Sequence, residues 1–287
     1  MFENPVSPTE SQDTNARRSP AIEICVEGLY KSFGDKHALD GINLAVNSGE
    51  MVAIVGSSGS GKSTLLRHLT GHFKPDRGRV LIADHESKNS PLVDLATLNS
   101  AGMERLERHW AVVFQQNGLI TGTVYDDIAL PLRVVQGLDE ATIRIRVSEV
   151  IRAVGLDGKT DENINVDQLS GGMAKRVAIA GALALDPVLI FYDEPTTGLD
   201  PRLSWKIQDL IQMVHERRTE LGLARTSLVI THDKDLLHRL RPRIIMLEAG
   251  RIVFEGDYEA FERSDSLFTQ PYLELMPILH RQVHQSG

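Results

Sequence analysis

A short stretch, rich in glycine and followed by a lysine and two hydroxyl residues, has the composition of a phosphate-binding loop. Glycines allow the backbone to turn its N–H groups inward, where they can surround anionic oxygens. Lys62 would supply a cation for the outer phosphates, and the Ser63 hydroxyl can reach a Mg²⁺ ion. The spacing G-x-x-x-x-G-K-S therefore predicts a site for a nucleoside triphosphate. The stretch consists of Gly56, Ser57, Ser58, Gly59, Ser60, Gly61, Lys62, Ser63 and Thr64.

The residues on either side of this loop form the elements that the motif requires. The apolar run Met51–Val55 predicts a buried strand, and Leu65–Leu69 continues into a helix that begins near Lys62. A helix N-terminus adds unsatisfied N–H groups and the positive end of its dipole at the same place. The alternative, a Gly/Ser turn that contains a lysine by coincidence, does not account for a strand before it and a helix after it.

Three further apolar runs end in polar residues. Gln115, Asp193 with Glu194, and His232 each follow a predicted strand. Because the carboxyl ends of parallel strands meet at one edge of a sheet, these side chains should lie near the phosphate loop. Asp193 could hold Mg²⁺ directly or through water, and Glu194 could polarise a water for in-line attack on the γ-phosphate. Each residue alone could be an ordinary strand end or loop residue, but together and in this order they predict a site.

The stretch from about residue 116 to residue 186 has a helical pattern. Asp139–Val154 carries apolar residues at helical spacing. Ser170, followed by Gly171 and Gly172, predicts a helix N-cap and brings a hydroxyl and free backbone N–H groups together as a second anion site. Asp200 before a proline predicts the start of a later helix.

The N-terminal third contains predicted antiparallel strands over residues 22–55. Phe33 lies beside a glycine-containing turn in this part of the chain. It could be a minor-core aromatic or a platform on which a nucleotide base stacks. Taken alone, its position favours the first of these two interpretations.

Composition limits the classes of function. The 287-residue chain has a formal net charge of −8, which argues against nucleic-acid binding because phosphate contacts need a basic face. Residues 1–20 are polar and contain several prolines, so we expect a disordered tail and no secretory signal. The longest apolar stretch, Val177–Leu185, is far shorter than the roughly 20 residues of a membrane helix. We therefore expect a soluble, cytosolic protein whose membrane role depends on a partner.

Six motifs, taken together and in order, resemble those of ABC-transporter ATPase subunits over about residues 22–256. The resemblance implies an α/β fold, with a RecA-like P-loop NTPase core, an antiparallel β subdomain and an inserted α-helical subdomain at about residues 116–186. The ATPase domain would span residues 21–256, and residues 257–287 would form a helical tail. The motifs are Walker A at Gly56–Thr64, the Q-loop at Phe114 and Gln115, the signature at Leu169–Met173, Walker B at Leu189–Glu194, the D-loop at Gly198–Asp200, and the switch histidine His232.

The same resemblance implies ATP and Mg²⁺ as ligands and a head-to-tail homodimer as the working unit. Each ATP would lie between the Walker A loop of one subunit and Ser170, Gly171 and Gly172 of the partner subunit. Phe33 matches the aromatic residue that stacks on adenine, which reverses the preference stated above. The remaining implied roles are Glu194 and His232 in catalysis, Ser63, Gln115 and Asp193 at the metal, Gln115 also at the nucleotide, and Asp200 in communication across the dimer.

Within this family, several runs are similar to the Mla-type ATPases, which work with MCE-domain proteins and move phospholipids across the envelope of double-membraned bacteria. This similarity implies phospholipid transport from the inner face of the cytoplasmic membrane. The alternatives are a peptide or small-solute importer and a regulatory ABC ATPase of a cell-division complex. An ABC ATPase of DNA repair or translation would carry a coiled-coil insertion or a second cassette. The similar runs are Phe114–Leu119, Ile128–Arg133, Met173 and Tyr192–Pro201.

The segment Asn117–Arg133 follows Gln115 directly and is the predicted docking groove for a short cytoplasmic helix of a membrane permease. A rotation that starts at Gln115 could be transmitted through it. We expect its apolar residues to be exposed and to need a partner. These residues are Leu119, Ile120, Val124, Leu130 and Leu132.

Overall fold

The computed structural model describes residues 21–116, 118–120, 122–158 and 160–275. The predicted disordered tail at residues 1–20 and the last part of the helical tail lie outside this range. Residues Asn117 and Thr121 of the predicted docking segment also lie outside it.

A six-stranded sheet forms the centre of the molecule, in the strand order β10-β9-β3-β8-β7-β6. The pairs β3–β8, β3–β9, β7–β8 and β6–β7 are parallel, and β10 is antiparallel to β9. All five residues of β3 are buried, as expected for a strand covered on both faces. The strands are β3 (Met51–Val55), β6 (Trp110–Val113), β7 (Leu189–Asp193), β8 (Thr226–Ile230), β9 (Arg243–Glu248) and β10 (Arg251–Gly256).

A second, four-stranded antiparallel sheet has the order β2-β1-β4-β5 and packs on the central sheet through a shared apolar core. Long strands with alternating burial are typical of a sheet that buries one face. The antiparallel pairing predicted over residues 22–55 is confirmed for β1 and β2, whereas β3 belongs to the central sheet and pairs in parallel with β8 and β9. The strands are β1 (Ile22–Phe33), β2 (Lys36–Asn47), β4 (Arg77–Ala83) and β5 (Leu92–Asp94).

Helices connect the strands and extend the core. The helix predicted to begin at Lys62 does begin there, and Asp139, Ser170 and Asp200 cap their helices through side-chain oxygens. Helices α3 to α5 share one apolar cluster with α6 and with β6 and β7. The helices are α1 (Lys62–Leu69), α2 (Ser100–Glu107), α3 (Val124–Val134), α4 (Glu140–Ala153), α5 (Gly171–Ala184), α6 (Pro201–Glu216), α7 (Lys234–Leu240), α8 (Tyr258–Glu262) and α9 (Thr269–Leu275).

The expectation of an exposed apolar segment at Asn117–Arg133 is partly wrong. Val124 and Leu132 are fully buried, because both face the core of α3 to α6, and Leu119 packs against the same cluster. Ile120 and Leu130 remain exposed. Helical spacing identifies which residues share a face, whereas the tertiary packing decides which face meets a neighbour.

The C-terminal residues pack more closely than the sequence indicates. Tyr258 and Phe261 are buried in a cluster with β3, α7 and β9, and Tyr272 packs against it. Residues 84–100 contain β5 and a short 3₁₀ turn. Among the residues that the structure describes, no helix has the length and apolar character needed to cross a bilayer.

Candidate active site

Three glycines of the loop between β3 and α1 are required by their conformation, and two of them also by close contacts. Gly56, Gly59 and Gly61 all have φ in the left-handed region, at 143°, 81° and 111°. A Cβ at Gly56 would collide with the Leu247 carbonyl, and one at Gly61 would lie 2.6 Å from the Ala38 carbonyl. Only glycine satisfies both the conformation and the space. The loop is therefore a narrow cradle that leads directly into the N-terminus of α1.

Lys62 already points back over this cradle. Its Nζ donates to the carbonyls of Gly56 and Ser57, at 2.8 Å each. Burial lowers the pKa of Lys62, and the carboxylates of Glu194, Glu248 and Asp193 oppose that shift. The hydroxyl of Ser60 is buried within the cradle and has no hydrogen-bond partner among the described residues. These features fit a bound polyphosphate.

A cavity of about 180 Å³ joins the loop to the end of β1. Phe33 forms one wall and is 48% exposed, and Gly59, Lys62 and Thr64 form the other. Phe73 lies beside Phe33, with ring centroids 5.6 Å apart. A flat, half-exposed ring next to a phosphate cradle has the placement needed to stack on a base.

The predicted metal residues come together from three separate elements. Ser63 at the start of α1, Asp193 at the end of β7 and Gln115 just after β6 line one cavity of about 580 Å³. Burial raises the pKa of Asp193, and repulsion from Glu194 adds to this effect. Hydroxyl, amide and carboxylate oxygens are hard ligands of the kind that Mg²⁺ takes beside phosphate groups. The donor set therefore fits Mg²⁺ bound together with a nucleotide.

Glu194 and His232 form a pair beside this cavity. His232 Nδ1 lies 2.8 Å from Glu194 Oε2, and Thr197 Oγ1 donates to the same oxygen at 3.2 Å. Glu194 is mostly buried, whereas His232 is 61% exposed and accessible to a ligand. Glu194 also has a positive φ of 48°, and its N–H donates to the Ile230 carbonyl at 2.9 Å. A left-handed glutamate is a strained residue, and such residues cluster at functional sites.

The signature residues lie at the start of α5 and contact α6. Ser170 Oγ accepts the N–H of Met173 at 3.3 Å, which confirms the predicted N-cap. Gly171 is exposed, and a Cβ there would meet its nearest atom, on Leu199, at 3.8 Å. Gly172 is buried, and a Cβ there would lie 2.7 Å from the Leu203 side chain.

Asp200 caps α6 by accepting the N–H groups of Arg202 and Leu203, at 3.0 and 3.1 Å. It therefore has a structural role within its own subunit, apart from any role across a dimer. Replacing Asp200 would remove a helix cap, which is worth about 1 kcal/mol.

Four residues near the site were not identified from the sequence. Glu248 accepts the Ser57 hydroxyl at 2.8 Å from the end of β9. Thr197 holds Glu194, as described above, and Tyr272 Oη reaches the Thr231 carbonyl at 3.5 Å. Lys175 donates to the main chain at the start of the Q-loop. Glu248, Tyr272 and Lys175 have partners that are distant in the sequence, so no local pattern could have revealed them. Thr197 lies only three residues after Glu194, within the run Tyr192–Pro201.

A family model and individual known proteins both match this chain. Residues 39–197 match the family model described as ABC transporter. The methionine import ATP-binding protein MetN of Brucella abortus is 35% identical over 263 residues, which cover 91% of this chain and 66% of that protein. MetN of Caulobacter vibrioides is 38% identical over 82% of this chain and 67% of that protein. The chain thus spans about two thirds of the length of these relatives.

Solved structures share the fold. CbiO1 from Clostridium perfringens, described as part of the ABC transporter complex cbiONQ, matches with a TM-score of 0.71, 31% identity, and 89% and 96% of the two chains covered. The ATP-binding cassette MJ0796, in a dimeric post-hydrolysis state bound to ADP and Pi, matches with a TM-score of 0.70, 32% identity, and 82% and 98% covered. These matches confirm the predicted P-loop NTPase fold class. The chain belongs to the ABC transporter family.

Proposed function

We propose that this chain binds and hydrolyses Mg-ATP as the ATPase subunit of an ABC transporter. The observation that carries this proposal is the convergence of Glu194 and His232 with the phosphate cradle. A mostly buried carboxylate held by Thr197 and His232 can accept a proton from an attacking water. Lys62, Ser63, Gln115 and Asp193 would hold the outer phosphates and the metal.

The working unit that we propose is a head-to-tail homodimer. MJ0796 is described as dimeric. The start of α5 is exposed at Gly171, and a helix N-terminus favours the binding of anionic oxygens. In such a dimer, Ser170, Gly171 and Gly172 would close on the nucleotide of the partner subunit. Asp200 would lie close to the same boundary and could communicate between the two sites.

Mixed dimers test whether the signature acts in trans. One mixture carries Lys62→Ala in one subunit and Gly171→Asp in the other, which leaves one composite site intact. The second mixture places both changes in the same subunit, so each site has one defect. We expect the first to keep about half of the wild-type ATPase activity and the second to lose most of it, because a carboxylate at Gly171 repels phosphate.

Gly171 is the better position for this test, since Gly172 is buried against Leu203 and a side chain there would disturb the subunit itself. Equal activity of the two mixtures, measured with tandem-tagged heterodimers, would contradict action in trans. A Gly171→Ala variant in the same arrangement controls for the added side chain without added charge.

For the substrate, we propose a small solute imported through a membrane permease, with methionine as the first candidate. This proposal rests on the MetN relatives, whose names state methionine import. The chain would then act as a peripheral subunit on the cytoplasmic face of the membrane. Phospholipid transport with an MCE-domain partner is the second candidate. It rests on the Mla-like runs Phe114–Leu119, Ile128–Arg133 and Tyr192–Pro201 and on Met173.

The permease would dock beside the Q-loop. The cavity that Gln115 lines extends from Ser63 and Asp193 to Phe114, which is 47% exposed and open to a partner. Ile120 is 56% exposed, and its N–H donates to Asp127 Oδ1 at 2.7 Å, which holds this loop against α3. An exposed apolar residue on a braced loop suits a docking contact.

Ile120→Glu should abolish co-purification with the permease while Mg-ATP affinity stays at the wild-type value. Val134→Glu is the matched control, because Val134 is 71% exposed at the far end of α3. Retained co-purification by Ile120→Glu, or equal loss by both variants, would contradict the docking assignment.

The permease recovered in that experiment also decides the substrate class. A methionine importer should lose uptake of labelled methionine when this subunit is disrupted. Normal methionine uptake, together with a permease that co-purifies with an MCE-domain protein, would favour phospholipid transport instead.

A further inference from the structure

A buried lysine links two parts of the site that the sequence treats as separate motifs. Lys175 lies in the second turn of α5 and is only 2% exposed. Its Nζ donates to the carbonyls of Phe114 and Gln115, at 2.9 and 3.0 Å. These carbonyls follow β6, the edge strand of the central sheet, at the point where strand pairing stops. The ammonium group therefore donates hydrogen bonds to the carbonyls at the point where the strand pairing of β6 ends.

Burial of the Lys175 ammonium group costs free energy, which indicates that the group has a functional role. An ammonium group taken out of water loses solvation, which its partners must replace. Burial lowers the pKa of Lys175, and the carboxylate of Asp193 opposes that shift. A neutral, apolar side chain could fill the same space without this loss, but it could not hold two main-chain carbonyls. The Lys175 ammonium group thus loses its hydration, and its two hydrogen bonds fix the position of the Q-loop main chain.

The Q-loop and helix α5, which Lys175 joins, lie in different parts of the site. Gln115 lines the cavity with Ser63 and Asp193. Helix α5 begins with Ser170, Gly171 and Gly172. Because Lys175 lies on that helix close to those residues, any displacement of the main chain at Gln115 is carried to the start of α5 through two charge-assisted hydrogen bonds.

We propose that Lys175 is a positioning residue for ATP turnover, which ties the main chain at Gln115 to the helix that presents Ser170, Gly171 and Gly172. The proposal rests on the ATPase function given above. It makes the Q-loop and the signature helix one unit, so that a change at the outer phosphate site in one subunit moves the surface offered to the nucleotide of the partner subunit.

The test compares Lys175→Met with the wild-type full chain in its complex with the permease. Methionine keeps the apolar stem and removes the donors. We expect kcat to fall about 10- to 100-fold while the Kd for Mg-ATP, measured by calorimetry, stays within about twofold. Arg146→Met is the matched control, because Arg146 donates to the Ala184 carbonyl at the other end of α5, at 3.1 Å. This control should keep wild-type kcat.

A double-mutant cycle with Gln115→Ala separates positioning from general stabilisation. If Lys175 acts through Gln115, adding Lys175→Met to Gln115→Ala should change kcat by less than about twofold. Multiplying effects, or wild-type kcat in Lys175→Met, would overturn the proposal. Should Lys175→Met fail to fold, Lys175→Gln removes the charge and shortens the side chain while it keeps an amide NH₂ group, and the same cycle applies to it. A wild-type complex without ATPase activity would instead remove the proposed function, and this inference with it.

Discussion

Replacing Glu194 by glutamine is expected to reduce steady-state ATP hydrolysis by about 10²- to 10⁴-fold, the usual contribution of a general base. The substitution keeps the size of the side chain, and its amide oxygen can still accept hydrogen bonds from His232 and Thr197. It removes the basicity, so the attacking water keeps its proton. Mg-ATP binding should survive, and the closed dimer should accumulate because its nucleotide is not consumed.

The geometry supports this assignment through the oxygen that remains. The contacts from His232 and Thr197 both end on Glu194 Oε2, so among the described residues Oε1 is the oxygen available to a water. Glu248→Gln is the matched control: it makes the same chemical change at another strand end and still accepts the Ser57 hydroxyl. Turnover should fall far less in the control. Near-normal hydrolysis by Glu194→Gln, measured by phosphate release, would remove Glu194 from the catalytic role.

Lys62→Ala is expected to weaken Mg-ATP binding by about 10- to 100-fold, because it deletes charge-assisted contacts to the outer phosphates. In the structure, two carbonyls of the cradle hold the ammonium group beside the loop. The measurement is calorimetric titration with Mg-ATP. Unchanged affinity would contradict the assignment on which the whole site depends.

Lys36→Ala separates the specific contact from general charge. Lys36 lines the same cavity as Lys62, on the side of Phe33. A placed lysine should matter much more than a second cation in the same cavity. Equal losses of affinity in the two variants would therefore reduce the role of Lys62 to the overall positive charge of the pocket.

Most residues of the site could be predicted from the sequence, because their roles follow from local chemical rules. The cradle could be identified because its steric requirement is met only by glycine, and φ at Gly56 and Gly61 shows that requirement. Asp139, Ser170 and Asp200 could be identified as caps, because a cap bonds N–H groups only two or three residues away. The proximity of Gln115, Asp193 and His232 could also be predicted, because the carboxyl ends of parallel strands lie at one edge of a sheet.

The tertiary structure alone decided which side chains are accessible and which distant groups meet. Val124 and Ile120 look alike as apolar residues of one segment, yet the packing of α3 buries the first and leaves the second exposed. The bonds from Lys175 to the main chain at Gln115, and from Ser57 to Glu248, join residues far apart in the chain. Every residue has a main-chain carbonyl, so a hydrogen bond to one cannot be identified from residue types. Partners that are far apart in the chain have no fixed spacing. Only the assembled fold, in which α5 crosses the end of β6 and β9 flanks the cradle, brings these groups within hydrogen-bond distance.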